Sequence, residues 1–168
     1  LLYVATVYLL RDPLFLYAVE VGVTLTAGMF LMEFGWASDA TALAIALMSL
    51  ALVSLHAERA FPAQAEVFDR RRFGLPLFWS GHVQLAGALL LLLTTQLLGW
   101  ATLWGRPVDW LAWMPWHSGL LEQSVALAVG MWLLGSYAYL YSDLVVRRVG
   151  VYVYLAAFCF VLAEVSLI

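Results

Sequence analysis

The chain has 168 residues, of which 65 % are hydrophobic and 11 % are charged, against about 45–50 % and 25 % in soluble domains. All eight basic residues are arginines, which excludes a lysine Schiff base to retinal and a lysine-dependent nucleophile or phosphate site. The single cysteine, Cys159, excludes an internal disulfide and a cysteine-rich metal or iron–sulfur site. The net charge of −3 gives no sign of a nucleic-acid partner, and we expect none.

Residues 73–105 form a long uncharged stretch, in which His82 is the only titratable candidate. Spanning the hydrocarbon core of a bilayer takes roughly 20 apolar residues. A soluble protein of this length does not need so long an apolar helix. The sequence therefore predicts an all-α fold, a polytopic transmembrane helical bundle that forms a single integral membrane domain over residues 1–168.

Six membrane segments are predicted in chain order. The first is too short to span and is interpreted as the tail of a truncated helix, which leaves about five full spans. The longest polar stretch, Glu58–Arg72, is predicted to contain a short interfacial helix after Pro62, with Glu66 and Arg70 one turn apart. The six segments are Leu1–Leu10, Leu14–Trp36, Ala40–Ala57, Leu75–Trp104, Gly119–Ser142 and Val149–Ile168.

The arginines predict an orientation for these segments. The first, third and fifth loops hold seven of them, whereas the second and fourth loops hold only Arg106. By the positive-inside rule, Arg70–Arg72 should be cytoplasmic and Trp110–Trp116 should lie at the outer face. The tryptophans are interpreted as an interfacial belt, with a Trp-lined ligand groove as the alternative. We expect residence in the bacterial inner membrane, in contact with lipid and with other transmembrane subunits.

Three titratable residues should lie at comparable depth in the inner half of the membrane: Glu20, His56 and His82. Ionisable groups in membrane spans are costly and therefore point to function. One hypothesis is a proton or ion path through these three residues. For His56 the alternative is an interfacial histidine at the end of its span.

His82 lies about two turns inside its segment, and Gly81 beside it leaves space for a close approach to the backbone. Neutral imidazole is the commonest metal ligand, and each ring nitrogen of a buried histidine needs a partner. His82, with His56 as a second candidate, could thus ligate a haem or a chlorin. The alternative is a hydrogen bond from His82 to a neighbouring helix, through Gln84 or Glu20.

This segment resembles the start of the sixth core helix in the catalytic subunits of haem–copper oxidases, in the pattern Phe78-Trp79-x-Gly81-His82-Val83. The resemblance covers roughly ten residues and implies copper binding by His82. The adjacent His-His pair and the His-x-His motif of that family are absent, and the predicted orientation is opposite. Catalytic copper chemistry is therefore not carried over, and a degenerate relative of the family is kept as an alternative.

Three classes of function remain. The first is a subunit of a larger energy-transducing complex, respiratory or photosynthetic, with a structural role and contacts to pigment, quinone or lipid. Its small-xxx-small pairs, Thr24/Gly28 and Ala126/Gly130, would allow close helix contact. The second is a small transporter or proton-path protein that uses Glu20, His56 and His82. The third is an intramembrane enzyme, for which the sequence has neither a Gly-x-Ser-x-Gly nor a His-Glu-x-x-His motif and no carboxylate-rich metal cluster.

Overall fold

A computed structural model of the protein describes residues 2–36, 39–64, 66–103 and 124–168. These residues form helices and their connections, with no β-strand in the described ranges, so the fold over them is all-α. A turn with Arg11 at φ 54° separates the first two helices. The helices are α1 (Leu2–Leu10), α2 (Leu14–Glu33), α3 (Ala40–Ala57), α4 (Leu75–Leu103), α5 (Val125–Tyr141) and α6 (Val151–Val165).

Among the described residues, four helical segments are long and apolar enough to cross a membrane, those based on α2, α3, α4 and α5. This agrees with an integral membrane bundle. The last helix, α6, has 15 residues, fewer than the roughly 20 that a straight span needs. The predicted count of about five full spans therefore stays a prediction. The predicted outer-face segment Trp110–Trp116 lies outside the described residues.

The core is formed by two packed helix pairs, α3 with α4 and α5 with α6. Asp39 caps α3, because its Oδ1 accepts hydrogen bonds from the backbone N–H of Thr41 at 2.8 Å and of Ala42 at 3.4 Å. The α3–α4 approach is close at Gly81, where an added Cβ would lie 2.9 Å from Leu55 Cγ. The space beside Gly81 is thus filled by α3, not by a cofactor.

At the end of the bundle away from the arginine-rich loops, a chain of hydrogen bonds joins α4, α5 and the residue after α6. Trp132 Nε1 donates to Gln96 Oε1 at 2.9 Å, and Gln96 Nε2 donates to Ser166 Oγ at 2.9 Å. The Ser166 hydroxyl in turn donates to the backbone carbonyl of Leu162 at 2.7 Å. Gln96 and Trp132 are almost fully buried, so this end of the core is closed by paired polar groups.

The second helix packs much less closely than the core helices. Of its twenty residues, all described, only Leu31 is buried. An added Cβ at Gly28 or at Gly130 would meet nothing within 4 Å. At Gly28 and Gly130, the close contacts expected of the Thr24/Gly28 and Ala126/Gly130 pairs are therefore not made to other described residues.

The short helix predicted after Pro62 does not form: the described residues between Pro62 and Asp69 are turns and bends. Arg70 is used differently from the expectation. Its Nε donates to the carbonyl of Phe61 at 2.9 Å and lies 3.7 Å from Glu58 Oε1. Because Arg70 bonds the start of this loop, it does not support a helical turn through Glu66. A π-helical turn at Arg70–Gly74 then leads into α4.

Candidate functional site

Three groups of polar side chains lie within the half of the bundle nearest the arginine-rich loops: a polar cluster, the surroundings of His56 and those of His82. The polar cluster consists of Glu20 and Thr24 on α2, Ser54 on α3 and Gln84 on α4. Ser54 Oγ donates to Glu20 Oε2 at 2.8 Å, and Gln84 Nε2 donates to Thr24 Oγ1 at 2.9 Å. Weaker contacts of 3.4 Å join Ser54 to Gln84 and Gln84 to Glu20.

The polar cluster explains how a loosely packed α2 is attached. Ser54 and Gln84 are buried, whereas Glu20 and Thr24 are partly exposed. Their bonds cross two helix interfaces at the same depth, from α2 to both α3 and α4. Interhelical hydrogen bonds of this kind are each worth about 0.6 kcal/mol in a membrane protein, and up to ~2 in model peptides. Glu20 thus has a structural use that needs no proton path.

His56 lies at the exposed surface of α3, against α5. Its Nδ1 is 2.7 Å from the carbonyl of Leu52, so Nδ1 must carry the proton. Its Nε2 then accepts from the hydroxyl of Tyr137 at 2.9 Å. The ring also stacks on Tyr141, with centroids 4.4 Å apart. Both nitrogens of a neutral His56 are therefore paired, and neither is left to ligate a metal unless Tyr137 moves.

His82 differs from His56 in one decisive respect. Its Nδ1 lies 2.8 Å from the carbonyl of Phe78 one turn earlier, which fixes the proton on Nδ1. Its Nε2 is buried and has no hydrogen-bond partner among the described residues. Such a nitrogen presents a lone pair with nothing to accept, at an energetic cost to the folded state. The same arrangement is typical of a histidine whose second nitrogen binds a metal.

Aromatic rings surround His82. The centroid of its ring lies 4.3 Å from that of Phe78, 4.8 Å from that of Tyr152 and 6.1 Å from that of Tyr139. These tyrosines belong to α5 and α6, so His82 faces the centre of the α4–α5–α6 contact. Rings this close occupy the volume that a macrocycle would need within this chain. The residues present suit a small donor or a group brought by another subunit better than a haem enclosed by this chain alone.

The three predicted site residues make separate contacts, so a shared proton or ion path through them stays a prediction. Ser54 of the polar cluster lies two residues before His56, and Gln84 lies two residues after His82, so all three lie in the same half of the bundle. No hydrogen bond joins any two of Glu20, His56 and His82, all of which are described. Each has its own surroundings on a different helix face. Within the described ranges, no group of three or more His, Cys, Asp or Glu residues could hold a metal ion.

Two parts of the polar structure were not predicted from the sequence. Gln96, Trp132 and Ser166 were not selected, although Gln96 is an amide deep in an apolar helix and such a residue needs a partner. Ser54 was missed because a serine bonds readily to its own helix and carries no signal of a contact with another. The contacts of Tyr139 and Tyr152 with His82 were not predicted either, since these tyrosines come from two later helices.

No protein-family model, curated protein or solved structure matches this chain. The resemblance of the His82 segment to the haem–copper oxidases thus stays a hypothesis from the sequence. The geometry of the described residues alone must support any functional proposal.

Proposed function

We propose that the protein is a multi-pass subunit of a larger energy-transducing membrane complex, respiratory or photosynthetic, in which its role is structural. One observation carries this proposal: α2 is bonded to α3 and α4 by the polar cluster and contacts the short α1, and it leaves much of its remaining surface exposed. Exposed apolar residues follow that surface, among them Val21, Leu25, Met29 and Met32. Gly28 on the same helix would admit a neighbouring backbone.

The shape of the surface around α2 supports a partner helix. An apolar cavity of about 720 Å³ lies between α1, α2 and α3, lined by residues that include Gly22, Thr26 and Phe30. Small and large side chains thus alternate along an open groove at membrane depth. Lipid chains can fill such a groove, and a transmembrane helix from another subunit would gain close backbone contact there.

The test is the state of the protein extracted from native membranes in a mild detergent. We expect it to migrate with other subunits in a complex that has the visible absorption of an electron-transfer cofactor. Gly28→Leu should release it from that complex without lowering the stability of the isolated chain. A monodisperse, heat-resistant monomer without visible absorption would overturn the proposal.

A second role is favoured by the unpaired Nε2 of His82. We propose that this nitrogen either accepts a hydrogen bond or coordinates a metal centre, and that the assembled complex supplies the donor or the metal. Such a contact would account for the energy-transducing assignment. The change His82→Leu should then alter the absorption spectrum of the complex while its subunits remain assembled. The transporter alternative has less support, because Glu20, His56 and His82 make separate contacts.

The orientation in the membrane is part of the same proposal. The excess of arginines in alternate loops supports a cytoplasmic location for Arg70–Arg72 and an outer location for Trp110–Trp116, in a bacterial inner membrane. Labelling of Ser118→Cys by an impermeant maleimide tests it, with Cys159 replaced by alanine. We expect labelling from outside intact cells. Labelling only after permeabilisation would reverse the orientation and restore agreement with the haem–copper comparison.

A further inference from the structure

A large open pocket lies at the arginine-rich end of the bundle, next to the surroundings of His82, with which it shares Phe78. It has a volume of about 1140 Å³, just above the usual range of small-molecule sites, about 300–1,000 Å³. Its walls come from the loop between α3 and α4, from the beginning of α4 and from the end of the π-helical turn after α5. Apolar residues Leu75, Phe78 and Val146 form one part of the lining, and charged residues form another.

The arginines that line the pocket are used differently by the described residues. Arg70 is committed to the loop, because it contacts Phe61 and Glu58. Arg71 and Arg147 also line the pocket, and both side chains are free of hydrogen bonds and ion pairs to the described residues. They come from two different elements, the π-helical turn before α4 and the connection after α5. Two free guanidinium groups on opposite elements suit a phosphate, which each binds well.

Two carboxylates line the same pocket with an oxygen that accepts no hydrogen bond from the described residues, although Glu58 also ion-pairs with Arg59 and Arg70. Asp69 Oδ1 and Glu58 Oε2 are buried and accept no hydrogen bond from the described residues. Glu58 is 5 % exposed, and its nearest charges are Arg70 at 3.7 Å and Arg59 at 3.9 Å. Buried acceptors without donors are rare and costly in native structures, so each indicates a missing partner. That partner must donate hydrogen bonds.

We propose that this pocket binds the headgroup of a membrane phospholipid that carries both a phosphate and a primary ammonium group. The phosphate lies on Arg71 and Arg147, and the ammonium group donates to Asp69 and Glu58. The apolar part of the lining, at the first turns of α4, receives the glycerol and the start of the acyl chains. The lining carries three arginines and three carboxylates, a balance that fits a zwitterion better than an anion.

The shared chemistry, an ethanolamine phosphate, could come from a lipid or from a soluble compound. The position of the pocket favours the lipid. It lies where the polar loop meets the ends of the membrane-length helices, at the depth of phospholipid headgroups. It is also open on one side toward the surface of the bundle, which an attached pair of acyl chains requires.

The experiment compares two lipids that differ only in hydrogen-bond donors. The full-length protein is delipidated in detergent and mixed with phosphatidylethanolamine or phosphatidylcholine, and bound lipid is counted by native mass spectrometry. We expect about tenfold tighter retention of phosphatidylethanolamine, because its ammonium group donates charge-assisted hydrogen bonds and a quaternary ammonium cannot. Equal retention of the two lipids would overturn the proposal.

Variants divide the site into its two halves. Asp69→Asn and Glu58→Gln should bring retention of phosphatidylethanolamine down to that of phosphatidylcholine. Arg71→Gln and Arg147→Gln should weaken retention of both lipids by about tenfold. The matched controls are Arg72→Gln and Arg148→Gln, because these neighbouring arginines do not line the pocket. An equal loss in the controls would indicate nonspecific surface charge and overturn the proposal.

Two further measurements keep the result unambiguous. The melting temperature of each variant without lipid shows whether it is folded. If one of the two carboxylate variants is unfolded, the conclusion is drawn from the other. Soluble glycerophosphoethanolamine is added as a competitor. We expect no displacement of lipid at millimolar concentration, and displacement would assign the pocket to a soluble compound and overturn the lipid proposal. None of these outcomes depends on the proposed complex, since the protein is studied alone.

Discussion

The α3–α6 core and the α2 helix are joined to the same bundle by different means. In the core, α3 buries seven residues, including Ala44, Met48 and Ala51, and α4 brings Gly81 against Leu55. In α2 only Leu31 is buried, and the hydrogen bonds of the polar cluster join the helix to α3 and α4. The core thus depends on close packing, and the attachment of α2 depends on hydrogen bonds.

This difference follows from the solvent. Lipid is as apolar as leucine, so burying leucine against a helix gains little, and helices associate through close packing and interhelical hydrogen bonds. A helix with both contributions is fixed, whereas one with hydrogen bonds alone has defined register but an open surface. The α2 helix, in which only Leu31 is buried, is closer to the second kind.

The largest effect should come from filling the closest core contact. Gly81→Val would force its side chain into Leu55 and the carbonyl of Ala51, which lie 2.9 and 3.2 Å from an added Cβ. We expect a loss of about 3 kcal/mol in the free energy of unfolding, the upper end for overpacking. The control Gly28→Val meets nothing within 4 Å and should change it by less than about 0.5 kcal/mol.

Both variants are measured by denaturation of the isolated chain in detergent. Equal losses for Gly81→Val and Gly28→Val would contradict the division between a packed core and an open α2. A loss for Gly28→Val only in the assembled complex would sharpen the comparison, because it would place a partner helix against α2.

The next largest effect should come from the buried amide in the core. Gln96→Leu leaves Trp132 Nε1 without its acceptor and removes the donor to Ser166, in a region that is almost fully buried. We expect a cost of about 1–2 kcal/mol. Thr94→Val is the control, because its hydroxyl bonds only to its own helix at an exposed position. The near-ultraviolet circular dichroism of Trp132 should change with Gln96→Leu alone.

Removing the polar cluster should release α2 without loosening the core. The double variant Ser54→Ala/Gln84→Leu deletes the bonds from α3 and α4 to Glu20 and Thr24. A cysteine in place of Leu31, the buried residue of α2, should then react about tenfold faster with a permeant maleimide. Native Cys159, buried in α6, is the internal control and should keep its rate. A parallel rise at Cys159 would show that the two regions are one cooperative unit.

Helix position was predictable here, but helix pairing was not. The boundaries of α3, and the start of α4 at Leu75, agree with the predicted segments, because charged residues and proline end apolar stretches sharply. The α2 helix ends at Glu33, three residues before the predicted Trp36, since Gly35 adopts a left-handed φ of 72°. In a chain that is apolar on every face, periodicity does not indicate which face meets which helix.

The candidate site shows the same limit. Glu20 and His82 could be selected from the sequence, because titratable residues in apolar segments are conspicuous. Their partners could not, since Ser54 and Gln84 are far along the chain from Glu20, and the tyrosines around His82 come from two later helices. The free Nε2 of His82 likewise depends on which residues surround it in three dimensions.

The smallest effect should come from His82 itself. Among the described residues it makes one hydrogen bond, to its own helix, and its buried Nε2 has no partner there. His82→Leu removes both the bond and the cost of the unpaired nitrogen, so the stability of the isolated chain should change by less than about 0.5 kcal/mol. In the assembled complex the same change should be destabilising or alter the absorption spectrum. If His82→Leu costs the isolated chain about 1–2 kcal/mol, then Nε2 has a partner on a neighbouring helix, and the cofactor role has lost its main support.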